Sequence, residues 1–321
     1  MTDGGAPLTG KRRAPRNRTV TLSAAERERY RQSLLQLTGP VSLEAIADRV
    51  IHQDLAAALP HLPRHCVDLL VVDPPYNLDK VFNSVQFKRT DLASYADWLA
   101  AYIDDLQPLL KPTASIYICA DWQSSPAVFS VVQSRFQVRN RITWEREKGR
   151  GTRRNWKNAS EDLWFCTLSS RYTFNVDAVK LKRRVIATYT QDGAPKGWSK
   201  THQGNFRLTH PSNLWTDLTV PFWSMPENTD HPTQKPEKLM AKLILASSNP
   251  GDVVLDPFLG SGTTAVVAKK LGRRYIGVEQ DELYCCLAQK RLAIAERDPT
   301  IQGFTEGVFW ERNTGRLQSR G

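Results

Sequence analysis

The sequence predicts a doubly wound α/β fold, in which one mostly parallel sheet carries helices on both faces. Three observations predict it. The apolar run Val67-Asp68-Leu69-Leu70-Val71-Val72 ends in Asp73-Pro74-Pro75-Tyr76. A second run, Val253-Val254-Leu255-Asp256, enters the turn Gly260-Ser261-Gly262 and then a helical stretch. Around these two, strand-like segments at 67–72, 115–119, 141–144, 163–167, 253–256 and 275–278 alternate with helical segments at 92–110, 127–135, 236–248 and 264–271. Such alternation implies parallel neighbours, and ligands then bind at the carboxyl ends of the strands.

In chain order, residues 1–20 read as a disordered basic arm, with Lys11, Arg12, Arg13, Arg16 and Arg18 among Gly, Pro and Thr. Residues 21–50 read as N-terminal helices. Ser23 and Glu26 make a capping-box pattern that opens a helix through Leu37, Gly39-Pro40 breaks it, and Ser42 caps a short helix to Val50. Residues 51–177 form the first half of the α/β domain, where Trp98, Tyr102 and Leu106 recur at helical spacing and read as core. Residues 178–230 interrupt the alternation, being rich in Pro, Gly, Thr, Trp and Lys with little periodicity. The second half spans 231–300, and 301–321 reads as a C-terminal tail.

Asp73-Pro74-Pro75-Tyr76-Asn77 is a stiff bracket at a strand end. Its prolines remove two backbone donors and fix φ, so the Asp73 carboxylate, the Pro74 carbonyl and the Tyr76 ring are presented together. Two acceptors above an aromatic face suit a planar base carrying an exocyclic amino group, and Asn77 is suited to ordering the loop. At the other strand, Glu279 follows Gly260 by 19 residues. A glycine turn lets backbone approach a ligand, and an acid at that spacing grips ribose hydroxyls. The turn lacks the third glycine of a pyrophosphate site, which favours a nucleoside cofactor without a diphosphate. Phe258 reads equally as pocket wall or as core.

At 321 residues and 40% hydrophobic, the chain can bury one large core, or a core plus an appendage. A net charge of +11 fits a polyanionic partner, or simply a solvated basic surface. Residues 141–184 carry twelve Lys and Arg against five Asp and Glu. Within them Lys148, Arg150, Arg153, Arg154, Trp156 and Lys157 interleave cations with a stacking face, a pattern suited to nucleic-acid contact. The five cysteines form no Cys-x-x-Cys and are odd in number, which argues for a reducing compartment and against a zinc site or a disulfide framework. No apolar stretch reaches membrane-spanning length, and the basic N-terminus has no apolar region behind it, so a secretory signal is not expected.

Together these motifs resemble the S-adenosylmethionine-dependent DNA amino-methyltransferases that act on adenine N6 or cytosine N4. The similarity is to the permuted (beta) class, in which the catalytic motif precedes the glycine motif. Asp73-Pro74-Pro75-Tyr76 matches the family's catalytic motif, Asp256 to Thr264 its glycine motif, and His231-Pro232-Thr233-Gln234-Lys235-Pro236 the signature just before it. Asp54 matches an acid that in the family meets the cofactor adenine.

The resemblance implies a Rossmann-like methyltransferase sheet with a target-recognition insertion at 178–230. It also implies duplex DNA as partner and S-adenosylmethionine as cofactor, with S-adenosylhomocysteine as product and no metal. A cognate restriction endonuclease is the implied genetic partner, the protein being a monomer or homodimer in the cytoplasm, near the nucleoid. Glu279 is expected at the ribose, Asp54 at adenine and Asp256 at the methionine ammonium. Thr263 and Lys235 are expected at its carboxylate end, with Phe258, Gly260, Ser261 and Gly262 along the cavity.

Asp73 and the Pro74 carbonyl would hold the amino group of a flipped base, with Tyr76 stacked on it. C5-cytosine chemistry is disfavoured, because no cysteine follows a proline as that reaction's motif requires. Adenine and cytosine stand near even, since both present the same N–C=N edge. Other classes are methylation of RNA or of a protein glutamine, whose enzymes usually carry Asn before Pro-Pro-Tyr, and a DNA-binding module without catalysis. A nicotinamide dehydrogenase would leave Asp-Pro-Pro-Tyr unexplained.

Overall fold

The computed structural model describes residues 13–82, 85–146 and 153–312. Its centre is an eight-stranded sheet. The strand order is Arg49–His52, Arg274–Glu279, Val253–Asp256, Val67–Val72, Leu110–Asp121, Ser160–Thr167, Gln137–Glu145, Leu214–Trp215. Ser160–Thr167 runs antiparallel to both neighbours, and the other five pairings are parallel. The expected mostly parallel sheet is present.

Side-chain alternation along the central strand explains its two layers. Leu69 and Val71 face one core, with Leu239 and Leu243 of helix Glu237–Ser247 and Val267 of helix Thr263–Lys270. Leu70 and Val72 face the other, with Leu99 and Ile103 of helix Leu92–Leu106 and Val128 of helix Ser125–Gln133. A strand buried on both faces is necessarily a near-continuous apolar run. That is why it was legible.

Several elements differ from expectation. The capping box of Ser23 and Glu26 is formed, but its helix is only Ala24–Arg31. The helix after Ser42 spans Leu43–Ile46 and stops where Ala47 turns extended and Asp48 takes φ 62°. Residues expected to prolong it instead make the edge strand Arg49–His52, with Val50 and Ile51 buried on opposite faces. The long helix ends at Leu106. Pro108 sits in the 3-10 turn Gln107–Leu109, and Leu110 begins the next strand.

Residues 178–230 hold more regular structure than their composition suggested. Leu181–Arg184, Ser199–Thr201 and Gly204–Thr209 join Phe304–Thr305 and Val308–Trp310 in a five-stranded sheet. Part of the expected C-terminal tail is therefore strand. Lys238 and Lys242 of the helix Glu237–Ser247 both pair with the buried Asp217, at 2.7 and 2.6 Å, and Lys238 also donates to the Trp310 carbonyl. These bonds fasten the second sheet to the first. The basic arm also departs from expectation over residues 13–20. Arg18 N donates to the Trp223 carbonyl, Val20 N to the Asn228 carbonyl, and Arg13 pairs with Asp230 at 2.6 Å.

Gly262, read as part of the ligand turn, has a packing reason for being glycine. It has φ +87°, and an added Cβ would lie 2.6 Å from the Ala288 Cβ on the helix Glu282–Ala295. Gly262→Ala should therefore destabilise the fold by about 2–4 kcal/mol, from overpacking plus left-handed strain. At Gly251, also at φ +85° but with open space around the added carbon, the same change should cost only the strain. Equal losses of melting temperature in the two variants would contradict the packing argument.

Candidate active site

A cavity of about 290 Å³ opens at the carboxyl edge of the parallel strands. Asp54, Asp73, Pro74, Pro75, Tyr76, Lys235, Asp256, Phe258, Gly260, Ser261, Thr263 and Glu279 all line it. Residues expected to serve the base and residues expected to serve the cofactor thus share one chamber. Asn77 lies behind the wall. Its amide donates to the Thr90 carbonyl and accepts from the Thr90 N–H, both at 2.8 Å, which ties the loop to Thr90. Tyr95 adds a bond from its hydroxyl to the Pro75 carbonyl, 3.2 Å.

The Lys235 ammonium lies 2.8 Å from each Asp73 oxygen and 3.6 Å from Glu161 Oε2. Lys235, expected at the cofactor's carboxylate end, lines the cavity with its ammonium paired to Asp73. Its charge also lies over the Tyr76 ring, 5.1 Å from the centroid. The Tyr76 hydroxyl donates to Glu161 Oε2 at 3.2 Å, and Arg146 pairs with Glu161 Oε1 at 2.8 Å. Burial works against the Lys235 ammonium, but Asp73 and then Glu161 outweigh it, so its pKa lies above the usual lysine value. Burial, followed by the charges of Glu161 and Asp73, likewise pushes the Tyr76 phenol well up, keeping it a donor.

On the other side, Glu279 Oε2 accepts from Gly260 N and Oε1 from Asp281 N, each at 2.8 Å. Gly260 has φ +53°, and a Cβ there would stand 3.0 Å from His231 Nε2. Only glycine suits both the turn and that neighbour. Asp256 Oδ1 accepts from Phe258 N at 3.0 Å. Burial raises the Asp256 carboxyl to about 7, and burial also pushes Glu279 above the ordinary carboxylate range. Asp54 caps the helix Leu55–Ala58 through Oδ1, bonded by Ala56 N and Ala57 N at 3.0 and 3.3 Å.

Sequence reasoning missed part of this wall. Trp98 and Tyr102, read as core, line the cavity and meet Phe258 with ring centroids 6.2 and 5.8 Å apart. Helical spacing cannot separate a core face from a pocket face. Tyr284 and Asp281 also line it. The His231 ring packs edge-on against Tyr284 at 4.4 Å. Gln234 anchors the signature by accepting from Thr229 N and donating to the Glu227 carbonyl. Buried Arg291 donates to the Ser261 carbonyl and Thr263 Oγ1, at 2.9 and 3.0 Å, fixing the glycine turn from behind. Glu161 had no motif to reveal it.

Of the expected DNA-contacting residues, Lys148 and Arg150 lie outside the described residues. Arg153, Arg154, Trp156 and Lys157 are exposed, Trp156 to 93%. All five cysteines are buried and free. Among the described residues, no helix is long and apolar enough to cross a membrane.

An open α/β sheet thus gathers an acceptor bracket, the buried Asp256 and the part-buried Glu279 in one cavity at its carboxyl edge. Comparison with known proteins narrows this. The chain belongs to the N6_N4_Mtase family of DNA methylases, whose model matches residues 67–290. It is 35% identical over 282 residues to the DNA adenine methyltransferase YhdJ of Escherichia coli (strain K12), covering 85% of this chain and 91% of that protein. It is 31% identical to the type II methyltransferase M.HpaI of Haemophilus parainfluenzae, over 80% of this chain and 76% of the relative. Among solved structures, a complex of M1.HpyAVI with SAM matches with a TM-score of 0.51 and 25% identity, covering 76% of this chain and 98% of that one.

Burial of Asp256 fixes the sign of a pH effect. Its folded-state pKa, about 7, lies above the ordinary aspartate value of 3.8, so between those values the folded state binds a proton that the unfolded state has lost. The stability gained from that proton is complete below the unfolded pKa and disappears as pH rises through about 7. Asp256→Asn, which keeps the acceptor for Phe258 N, should therefore raise the melting temperature at pH ~8 and change it little at pH ~4. Thermal scans of the ligand-free protein at both values check this, and an identical shift at both would refute it.

Proposed function

We propose that the protein is a site-specific DNA methyltransferase that moves the methyl group of S-adenosylmethionine to N6 of an adenine flipped out of duplex DNA. One observation carries the reading. The Asp73-Pro74-Pro75-Tyr76 bracket and the Asp256/Glu279 pair line a single cavity, so a base and a nucleoside cofactor can meet there. Adenine is favoured over cytosine by the 35% identity to a DNA adenine methyltransferase.

The cavity residues fit S-adenosylmethionine. Buried Asp256 is suited to the methionine ammonium, whose charge would restore its ionisation, and Phe258 offers an apolar wall. Glu279 has used one lone pair on each oxygen for backbone N–H groups, which leaves acceptor capacity for ribose hydroxyls. Asp54 retains the same kind of capacity for the adenine amino group. Thr263 and the backbone of the 260–263 turn take the carboxylate end, the role expected of Thr263 together with Lys235. When bound, the cofactor supplies an electrophilic methyl group on a sulfonium sulfur.

The chain's own residues do the rest. Asp73 and the Pro74 carbonyl accept hydrogen bonds from the two amino protons, which localises the nitrogen lone pair and aims it. Lys235, bonded to both Asp73 oxygens, holds that carboxylate in one rotamer. Because the Lys235 charge occupies one side of the Tyr76 ring, the base stacks on the other. Arg153, Arg154, Trp156 and Lys157, with Lys148 and Arg150 before them, supply phosphate and stacking contacts. Residues 178–230 read the target sequence. The protein works as a monomer or homodimer in the cytoplasm, where DNA is reached. It acts alone or beside a cognate endonuclease, as the type II relative's name suggests.

Two experiments test this. Genomic DNA from a modification-free host expressing the protein should carry N6-methyladenine at one short motif, lost in Asp73→Ala; single-molecule sequencing reads both, and N4-methylcytosine would redirect the base assignment. By calorimetry, Glu279→Ala should weaken S-adenosylmethionine binding at least tenfold, about 1.4 kcal/mol, whereas Asp73→Ala should leave it within about threefold, or ~0.7 kcal/mol. The reverse ranking would sink the site assignment.

A further inference from the structure

We propose that Glu161 is a positioning residue for the target base, acting through Tyr76 and Lys235; this rests on the methyltransferase reading above. Glu161 lies on the strand Ser160–Thr167, outside every sequence motif, and its side chain is only 4% exposed. A carboxylate so buried is costly unless it is paired and hydrogen-bonded. This one meets three groups. Oε2 accepts from the Tyr76 hydroxyl at 3.2 Å and lies 3.6 Å from Lys235 Nζ, while Oε1 pairs with Arg146 at 2.8 Å.

Each contact bears on the reacting geometry. The Tyr76 ring can swing about its side-chain torsions unless its far end is held, and Glu161 holds it by the hydroxyl. The plane on which the base stacks is then fixed. Lys235 is shared between Asp73, at 2.8 Å from both oxygens, and Glu161, at 3.6 Å. The second acid holds the ammonium between two partners, which fixes where Asp73 stands to accept a hydrogen bond from the amino group. One buried side chain thereby aligns both the stacking face and the acceptor. A misplacement of about 1 Å at such a site can cost on the order of 100-fold in rate.

The test is a double-mutant cycle on a duplex carrying the motif found by sequencing. Glu161→Gln keeps the shape and an acceptor but removes the charge, and Tyr76→Phe removes the donor. Each should lower kcat by about 10- to 100-fold, with the S-adenosylmethionine Kd within twofold of wild type. The double variant should lose less than the product of the two single losses, since part of the effect of Glu161 runs through the Tyr76 hydroxyl. With 2-aminopurine at the target position, Glu161→Gln should bind DNA yet show weaker stacking quench than wild type.

A Glu161→Gln enzyme with wild-type kcat, or single losses that simply multiply, would overturn the proposal while leaving the function intact. So would a lowered melting temperature with an unchanged quench, which would mark Glu161 as part of the fold alone. Should Glu161→Gln fail to fold, Tyr76→Phe with wild-type kcat overturns it. A wild-type protein that methylates no duplex DNA would remove the functional reading and this proposal together.

Discussion

Leu69 lies opposite Val254, and Leu70 opposite Leu255, in the parallel ladder at the middle of the sheet. These strands belong to motifs separated by most of the chain, yet the ladder fixes how Asp73 and Asp256 stand relative to each other at its carboxyl edge. A slip of one residue would move one acid by about 3.3 Å against the other. It would also turn Leu69 and Val71 toward the core that now holds Leu70 and Val72. Both faces are close-packed, so the slip would force each core to repack around the other's side chains. The precision of the site is inherited from hydrophobic burial.

Above that ladder lies a layer of charge that burial alone would expel. Asp73, Lys235, Glu161 and Arg146 form a chain of alternating sign. Such groups add little to stability once desolvation is counted, but removing one partner strands the others. What the chain gains is geometry. Lys235 comes from the signature that precedes the helix Glu237–Ser247, so its bond to Asp73 ties the second half of the chain to the Asp73 bracket across 162 positions of sequence. The signature is itself held by Gln234 and by the buried Glu227, which accepts from Glu237 N at 2.7 Å.

The central strands and their stops were legible in the sequence because continuous apolar runs closed by Pro-Pro or a glycine turn have few other readings. The shared chamber was legible from the same motifs. Arg49–His52 was not, since a strand so short with polar ends resembles the tail of a helix. The second sheet escaped for a related reason: in Gly204–Thr209 only Phe206 is buried, so no alternation survives. Glu161 could not be found from local pattern, because its partners Tyr76, Arg146 and Lys235 come from three distant segments. Gly260 and Gly262 looked alike in sequence, yet one adjoins His231 in the cavity and the other packs against Ala288.

The cofactor wall has the opposite electrostatics to the base wall. At Asp256, burial raises the pKa, hydrogen bonds from Thr264 and Phe258 lower it, and the charges of Asp73 and Glu279 raise it again. The nearby buried ammonium of Lys235 is committed to Asp73 and Glu161, and the Arg291 guanidinium to Glu237 and Ser261. The fold thus spends its cations on fixing the bracket and the turn, and leaves Asp256 and Glu279 with raised pKa values. Two strained acids favour a ligand that brings positive charge, because its arrival relieves a cost already present in the folded chain. A sulfonium nucleoside with an ammonium group meets that condition, whereas a dinucleotide diphosphate would add negative charge to it.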